Sequence, residues 1–309
     1  MTQKFIMMVG ISGSGKGYFA SQLAIKYNAV VFESDDYRKI YYGSAAIQGD
    51  NTKLFEALHS DMIITMRMGK NVIFDATNIS MKHRVAFLQK IAHLDVEKIA
   101  VVIATPIPEC HYNNEHRKER VVPTYVINNM YKQFQCPGYF EGWDNIIFVN
   151  NTIMAAYQEK YSSIAYIKSV MDTFEQRNPN HSKTVGKHCD DVAMAVLNEE
   201  FVVRIAARWH DLGKIYTQVF ADAKGNPSPI AHYYSHENVG SYEMMLYSVD
   251  AGRLDNDKDI ALICNLIQYH MRPYAFETSE KARKKFYSLV GQEIYDGVMA
   301  IYNADKNSK

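Results

Sequence analysis

The sequence predicts an α/β first domain built on a parallel sheet and an all-α second domain. Residues 1–150 contain five nearly continuous runs of Val, Ile and Phe separated by helical patterns, which is typical of buried parallel strands joined by crossover helices. After about residue 152 only helical patterns follow. A chain of 309 residues is long for one core and suits two. We therefore expect domains at 1–150 and 151–309.

Each expected element follows from a local pattern. The strands, in chain order, are KFIMMVG, AVVFES, NVIFDAT, KIAVVIAT and NIIFVN. The clearest helices of the second half, in which apolar residues recur at helical spacing, are FVVRIAARWHDLGK, ENVGSYEMMLYSV, KDIALICNLIQYH and EIYDGVMAIYNAD. No strand pattern of comparable quality follows residue 152.

Composition excludes several classes of protein. Lys plus Arg equals Asp plus Glu at 34 each, so no net charge draws the chain to nucleic acid, and any such contact must come from local patches. The four cysteines form no CxxC pair, which argues against a disulfide framework and a cysteine zinc site and fits a reducing cytoplasm. The apolar run FIMMVGI is too short to span a membrane. We expect a cytoplasmic protein with no membrane partner.

A glycine-rich loop joins the first strand to the first helix in VGISGSGKGYFASQLA. The backbone N–H groups of such a loop and the positive end of the helix together bind phosphate, and Lys16 adds a positive charge for the β and γ phosphates of a nucleotide. The motif predicts a nucleotide site formed by Gly10, Ser12, Gly13, Ser14, Gly15, Lys16 and Gly17.

Gly17 departs from this motif, because a Ser or Thr hydroxyl normally binds Mg²⁺ at that position. The ion would need another water or another residue to complete its coordination, which Mg²⁺ tolerates because it keeps several waters. Nucleotide binding should survive this change, while turnover falls. The alternative is that Gly17 is only a small residue that opens the helix.

Polar residues follow the second and third strands, at the edge of the sheet where open α/β folds bind ligands. SDDYR contributes Asp35 and Arg38, and VIFDATN contributes Asp75. Phosphoryl transfer needs a carboxylate that orients or deprotonates the attacking hydroxyl, and cations that stabilise the transferring group. The alternatives are that Asp35 caps the following helix and that Asp75 forms a turn.

A polar segment with two arginines follows in NNEHRKERVVPTYVINNMYKQF. Arg117 and Arg120 are expected one helical turn apart, ahead of a helix that starts at a proline. Such a pair can close over ATP as a lid. Together, GxxxxGK, SDDYR, DATN and the arginine segment with VP…VI…MYKQFQ.P resemble the 5′-kinase domain of phage and bacterial polynucleotide kinases over most of residues 1–150.

That resemblance implies a role for each matching residue. Lys16 would contact the phosphates of ATP, and Asp35 would be the general base toward a 5′-hydroxyl. Arg38 would hold the phosphate of the acceptor, beside Asp75. Arg117 and Arg120 would be the lid arginines. The lid spacing differs from the phage form, so the alternative is that His116 takes the place of one of these two arginines.

The second half carries a His or Asp on or beside each predicted helix, in VGKHCDDVA, ARWHDLGK, YYSHENVG, LIQYHMRP and IYNADKNS. A single His in an apolar helix is usually a core residue, but adjacent His210 and Asp211 bury a charge that a metal or partner must compensate. Imidazole and carboxylate ligands suit Mn, Fe, Co, Ni and Zn ions. The expected ligands are His188, His210, Asp211, His236, His270 and Asp305.

In this arrangement Asp211 bridges two ions, with two histidines on each, and the ions activate water and clamp a phosphate ester. Lys214 is placed to meet the phosphate; its alternative is an exposed lysine at a helix end. HS…VGKH, HDLGK, HE and the terminal AD resemble the two-metal branch of the HD-domain metallophosphohydrolases across about residues 165–309. His181 and His232 are expected to contact the metal ligands or the substrate. Trp209 and the tyrosines are expected to lie in the core and not to serve as base-stacking platforms, although Tyr233 and Tyr234, beside His236, could contact a ligand.

The two resemblances together imply a bifunctional enzyme that heals RNA ends. One site would phosphorylate a 5′-OH with ATP or another NTP and Mg²⁺, and the other would hydrolyse a 2′,3′-cyclic phosphate or 2′-phosphate with one or two transition-metal ions. The partners would be RNA rather than DNA ends, with a functional link to an RNA ligase. Two alternatives stay open: a nucleotide-metabolism kinase with an HD nucleotidase, and an NTP-sensing domain that regulates the HD site.

Overall fold

The structure is a computed structural model, and it describes residues 2–47, 49–117, 120–179, 182–250 and 256–308. The chain divides into two compact units. The first comprises Met1–Met130 with Glu141–Ile153, and the second comprises Tyr131–Phe140 with Met154–Lys309. The segment Tyr131–Phe140 therefore groups with the second unit, although the sequence-based division at residue 150 puts it in the first.

A five-stranded parallel sheet forms the centre of the first unit, which confirms the predicted α/β class and all five strands. The spatial order is β2-β3-β1-β4-β5, so the innermost strands are the most apolar runs. The bounds are β1 Lys4–Val9, β2 Ala29–Glu33, β3 Asn71–Asp75, β4 Glu97–Ala104 and β5 Asn145–Asn150.

Six helices connect the strands in the described part of this half. α1 begins at Lys16, directly after a left-handed Gly15, and ends at a left-handed Asn28. α3 begins where the Asp50 carboxylate accepts hydrogen bonds from two backbone N–H groups. The bounds are α1 Lys16–Tyr27, α2 Ser34–Tyr42, α3 Asn51–Arg67, α4 Met81–Lys90, α5 Ile107–Glu115 and α6 Thr124–Gln133. Since all five strands are parallel, the segments that follow them gather at one edge of the sheet.

The second unit is mainly helical, as predicted. Its helices α13 and α10 pack together, and α13 is buried along almost its whole length, so it forms the centre of this unit. α14 bends at Gly291, which has φ of 77°. The bounds are α7 Ala155–Ser162, α8 Ile164–Thr173, α9 Val185–Ala195, α10 Phe201–Trp209, α11 Lys214–Thr217, α12 His236–Asp250, α13 Asp257–Tyr269 and α14 Glu280–Asn307.

A short antiparallel hairpin interrupts these helices, so the prediction of an all-α second domain is wrong at this point. Its strands are β6 (Val219–Ala221) and β7 (Pro227–His232). The strands are short and largely exposed, and they lack the apolar pattern that marks a buried strand. The turn between them depends instead on the Asp222 carboxylate, which accepts hydrogen bonds from the backbone N–H groups of Lys224 and Asn226.

Two general features bear on the sequence analysis. The four cysteines are buried and none is in a disulfide. Within the described ranges, every helix is too short or too polar to cross a lipid bilayer.

Candidate functional site

The first candidate site lies where β1 enters the glycine loop. Gly13 and Gly15 have φ of 86° and 91°, which favour glycine. A Cβ atom on Gly13 would lie 2.1 Å from the carbonyl oxygen of Cys110, so a larger residue would displace the backbone of α5. Neighbouring side chains hold the loop: Asn113 donates to the carbonyl of Gly13, and Thr105 donates to the carbonyl of Ser14, each at 2.9 Å. The loop is therefore rigidly shaped before any ligand binds.

Lys16 lies inside the curve of this loop. Only 7% of the residue is exposed, and its Nζ donates a 2.8 Å hydrogen bond to the carbonyl oxygen of Ile11. Burial lowers the pKa of Lys16, and the nearby Asp75 carboxylate partly opposes this shift. A buried cation with a weak partner gains from an incoming phosphate, which is the role the sequence predicts for it.

The surroundings of Gly17 leave room for a side chain. A Cβ atom there would lie 3.5 Å from Oδ2 of Asp75, an ordinary van der Waals distance. Asp75 is itself 6% exposed, and burial raises the pKa of its carboxyl group against the attraction of Lys16. The buried Asp75 carboxylate thus lies beside the position that a P-loop hydroxyl normally occupies.

Asp35 lies on the first turn of α2 and is paired with two arginines. Arg38 and Arg120 both donate to its Oδ1 atom, at 2.8 and 2.5 Å. One oxygen of this carboxylate is therefore held in place by two guanidinium groups.

Arg117 and Arg120 both lie outside helices, so the described residues do not support the prediction that the two arginines lie one helical turn apart. α5 ends at Glu115, and Arg117 and Arg120 follow in irregular backbone. The Asn114 side chain bonds both the N–H and the C=O of Val122, at 2.9 and 2.8 Å, and so holds Val122 beside the end of α5. A local side-chain bond therefore replaces the predicted helical turn.

A cavity of about 160 Å³ brings these residues together. Its lining contains the predicted Ser12, Lys16, Gly17, Asp35, Arg38, Asp75, Arg117 and Arg120. Gly10, Gly13, Ser14 and Gly15 shape the loop behind it, and His116 packs against the ring of Tyr112 at 4.1 Å.

Sequence reasoning missed Glu33, which also lines this cavity. It ends β2 in register with Asp75, and burial together with the charges of Asp75, Asp36 and Asp35 raises its pKa to about 7. The available signal was its position as the last strand residue before SDDYR.

The second candidate site lies in the second unit, where the ends of several helices meet. His188 is on α9, His236 begins α12, and Asp305 is on α14. His210 and Asp211 follow the end of α10 rather than lying within a helix, and His270 follows α13. All six predicted ligands are buried, with exposures of 6% or less: His188, His210, Asp211, His236, His270 and Asp305.

Backbone hydrogen bonds fix the orientation of three of these rings. The Nδ1 atoms of His210, His236 and His270 lie 2.7, 2.8 and 2.7 Å from backbone carbonyl oxygens three residues earlier. A carbonyl oxygen can only accept, so each Nδ1 carries the proton and each Nε2 faces the centre of the site. This is the arrangement in which metal-binding histidines are usually held.

The two carboxylate oxygens of Asp211 face different histidines. Oδ1 lies 3.3 Å from Nε2 of His236 and 3.7 Å from Nε2 of His270. Oδ2 lies 3.4 Å from Nε2 of His210 and 3.6 Å from Nε2 of His188. These distances are long for hydrogen bonds but suit groups that share a cation.

The donor set fits divalent metal ions. Two sets of three donor atoms, each within 4.8 Å of one another, are His188–His210–Asp305 and Asp211–His236–His270. Nε2 of His236 and Nε2 of His270 are 3.2 Å apart, and burial with the neighbouring His210 and His236 lowers the pKa of His270 to about 3. The two Nε2 atoms thus face each other across a gap in which a bound cation would contact both.

Lys214 is buried, not the exposed helix-end lysine of the alternative interpretation. It is 6% exposed, and its Nζ lies 2.7 Å from Oδ2 of Asp211 and 2.9 Å from Oε1 of Gln176. Burial raises the pKa of the Asp211 carboxyl group, but the positive charge of Lys214 and the contact with His210 lower it by more than burial raises it. The pKa of Asp211 is therefore well below its ordinary value. Asp211 is therefore a carboxylate throughout the neutral range.

A cavity of about 290 Å³ opens onto this cluster and includes Asp211, Lys214, His236, His270 and Asp305 in its lining. Two further residues were missed by the sequence analysis: Gln176, which holds Lys214, and Tyr274, whose hydroxyl donates to Oδ2 of Asp305 at 2.6 Å. No local pattern marks either one. His232, Tyr233 and Tyr234 line the cavity, Trp209 is buried, and His181 lies outside the described residues.

Comparison with known proteins bears on the first unit. A family model described as AAA domain (AAA_33) matches residues 5–137, which include the glycine loop and the first four strands. The match and the loop geometry agree on a P-loop fold for this unit. Comparison with curated proteins gave no match.

Several solved structures are similar over about half of the chain. A sugar kinase from Janibacter sp. HTCC2649 has 14% identity over 48% of this chain and 85% of its own, with a TM-score of 0.38. A gluconokinase from Sinorhizobium meliloti 1021 has 15% identity over 50% and 87%, with a TM-score of 0.37. A chain of the Pnkp1/Rnl/Hen1 RNA repair complex has 23% identity over 43% of this chain and 44% of its own, with a TM-score of 0.37. Scores below 0.5 assign no function to this chain.

Proposed function

We propose that this chain is a bifunctional enzyme that heals RNA ends: a kinase in residues 1–150 phosphorylates a 5′-hydroxyl, and an HD-type phosphohydrolase in residues 151–309 removes a 2′,3′-cyclic phosphate or a 2′-phosphate. The observation that carries the proposal is the presence in one chain of two separate buried sets of groups suited to phosphate chemistry. One set surrounds Lys16, and the other surrounds Asp211.

The kinase half is supported by the charged and polar groups that line its cavity. The loop amides and Lys16 bind the phosphates of ATP or another NTP, which brings Mg²⁺ with it. Arg117 and Arg120 line the same cavity and would neutralise charge on the transferring phosphoryl group. Asp75, beside Gly17, would orient the water that replaces the missing hydroxyl in the shell of Mg²⁺.

Asp35 would act as the general base. Arg38 and Arg120 hold its Oδ1 atom, so Oδ2 would receive the proton of the 5′-hydroxyl. The hydroxyl oxygen would attack the γ phosphorus as the bond from that phosphorus to the β–γ bridging oxygen breaks and ADP leaves. Arg38 would bind the phosphate that follows the terminal nucleoside. Binding of that phosphate distinguishes a polynucleotide from a small-molecule acceptor.

The hydrolase half is supported by the convergence of imidazole and carboxylate donors. His188, His210 and Asp305 would hold one divalent ion and His236 and His270 a second, with Asp211 between them. When bound, such ions supply Lewis-acid activation of water and of the phosphate ester. Lys214 would place a positive charge on the phosphate, and Tyr274 fixes the carboxylate of Asp305. Mn, Fe, Co, Ni and Zn all suit these donors.

Together, the two activities would leave a 5′-phosphate and a free 3′ end, which an RNA ligase requires, so we propose a functional link to a ligase and a cytoplasmic site of action. The test uses an RNA oligomer with a 5′-OH and a 2′,3′-cyclic phosphate, incubated with ATP and with each divalent metal in turn. We expect both ends to change. If free nucleosides and nucleotides react as fast as the oligomer, the polymer-end function is wrong.

Two observations favour specific alternatives. The zero net charge provides no general attraction for a polymer, which favours a kinase and nucleotidase of nucleotide metabolism. Gly17 favours an NTP-sensing domain that regulates the HD site, in which ATP would alter hydrolysis while labelled γ-phosphate would never reach an acceptor. The substrate comparison identifies the first alternative, and transfer of label excludes the second.

A further inference from the structure

Two aromatic rings are stacked on each other at the cavity of the second unit. The rings of His232 and Tyr234 are nearly parallel, with an interplanar angle of 4° and centroids 5.5 Å apart. Both residues line the cavity that contains Asp211 and Lys214. Tyr234 is 40% exposed, so its ring presents apolar surface to solvent instead of to the core.

The backbone that carries these rings is held on both sides. His232 ends β7 opposite Val219 of β6, and its ring nitrogen lies 3.1 Å from the hydroxyl of Ser228. The preceding Ala231 donates its N–H to the carbonyl of Arg177 and accepts a hydrogen bond from the Asn178 side chain, each at 3.0 Å. The position of the pair is therefore fixed before a ligand binds.

A sharp change of direction follows the pair. Ser235 has φ of 62°, in the left-handed region, and α12 begins at the next residue. Because the chain turns there, His236 points into the buried cluster while Tyr234, two residues earlier, stays at the cavity mouth. The aromatic surface is thus tied by a short, constrained segment to a residue of the candidate metal cluster.

We propose that His232 and Tyr234 form a stacking shelf for the base of the nucleotide whose phosphate ester reaches Asp211 and Lys214. This inference rests on the proposed hydrolase function and adds its substrate class: nucleotides and RNA ends of any base, in preference to phosphate esters that lack a base. Aromatic faces bind all bases because every base has a π face, and such stacking tolerates sequence changes. Lys214, 5.6 Å from the ring centroid of Tyr233, places positive charge next to the shelf, where the phosphate would follow the base.

The test compares a nucleoside 2′,3′-cyclic phosphate with a base-free ribose 2,3-cyclic phosphate, using the full chain loaded with Mn²⁺. Tyr234→Ala should lower kcat/KM for the nucleoside substrate about tenfold or more, chiefly through KM, and leave the base-free substrate unchanged. Tyr234→Phe keeps the ring face and should retain wild-type values. Tyr287→Ala, which removes another exposed tyrosine from α14, is the matched control.

Binding of a 2-aminopurine ribonucleoside 2′-phosphate, followed by fluorescence quenching, tests the shelf without catalysis. If the base stacks on Tyr234, binding should quench the fluorescence of the probe, and Tyr234→Ala should bind the probe about tenfold more weakly than the wild type. If the wild type hydrolyses neither cyclic phosphate but binds this probe through Tyr234, the hydrolase proposal is wrong and the shelf stands. Equal probe affinity in wild type and Tyr234→Ala, or an equal loss on both substrates, overturns the shelf.

Discussion

The two candidate sites differ in how their charges are balanced. In the first unit, Asp35 is paired with Arg38 and Arg120, so its cavity already contains both signs of charge. In the second unit, four histidines and two carboxylates converge, and Lys214 is the main cation that faces them among the described residues. The first site is therefore suited to a ligand that brings its own phosphate and Mg²⁺, whereas the donor atoms of the second are suited to resident cations.

The largest effect is expected for Asp211→Asn. The amide replaces one oxygen with a donor and removes the negative charge that both histidine pairs share, so we expect hydrolysis to fall about a thousandfold and bound metal to be lost. Elemental analysis of the purified protein and the rate on cyclic phosphate measure both effects. Asp296→Asn, on the exposed side of α14, is the control. Full metal content in Asp211→Asn would contradict the bridging role.

Lys16→Ala should have the next largest effect, and only on the first site. Loss of the buried ammonium removes the charge that stabilises the transferring phosphoryl group, and we expect phosphorylation to fall about a hundredfold or more. The measurement is transfer of labelled γ-phosphate to a 5′-OH oligomer. Lys26→Ala, at the other end of α1, should retain activity. Equal losses in the two variants would mean that the loop is not a phosphate site.

Gly17→Ser should change the same activity in the opposite direction. The structure has room for the side chain, since a Cβ atom would lie 3.5 Å from Asp75, and a hydroxyl could then bind Mg²⁺ directly. We expect a gain of about tenfold in phosphorylation at limiting Mg²⁺. Gly17→Ala supplies the Cβ atom without the hydroxyl and should show no such gain. If Ala and Ser behave alike, Gly17 acts only as a small residue at the start of the helix.

The smallest effect concerns Glu33 and the pH dependence of stability. Its pKa is raised from 4.5 to about 7 in the folded state, so its favourable contribution is present below pH 4.5 and is lost as the pH rises through 7. Between pH 4.5 and pH 7, the free energy of unfolding of the wild type should fall by about 1 kcal/mol relative to that of Glu33→Gln. This figure allows for solvent screening, because the Glu33 side chain is partly exposed. Urea unfolding at pH 4.5, 6 and 7.5 measures this, with Glu56→Gln as the control. A constant difference would contradict the shift.

Local and repetitive signals made the fold predictable. Continuous apolar runs mark the buried inner strands, and the edge strand β2 has such a run although it is largely exposed, so all five strands and the loop between β1 and α1 could be found from the sequence. The hairpin at Val219–His232 escaped because its residues are exposed and its turn depends on side-chain hydrogen bonds of one aspartate. The arginine segment escaped for a similar reason: the bonds between Asn114 and Val122 compete with the helix.

The candidate sites were predictable where chemistry restricts residue type. A buried His–Asp pair requires compensation, which singles out His210 and Asp211 without any knowledge of their neighbours. Gln176 and Tyr274 have no such mark, because their importance comes only from the side chains they hold. Glu33 became a candidate only through its register with Asp75, which depends on strand order.

The central claim is that two separate sites in one chain act on opposite ends of the same RNA. The most direct measurement is the fate of both ends of a 5′-OH, 2′,3′-cyclic-phosphate oligomer with ATP and Mn²⁺, using wild type, Lys16→Ala and Asp211→Asn. We predict that Lys16→Ala opens and removes the cyclic phosphate without adding a 5′-phosphate, and that Asp211→Asn does the reverse. Loss of both reactions in either variant, or of neither in both, would contradict the claim.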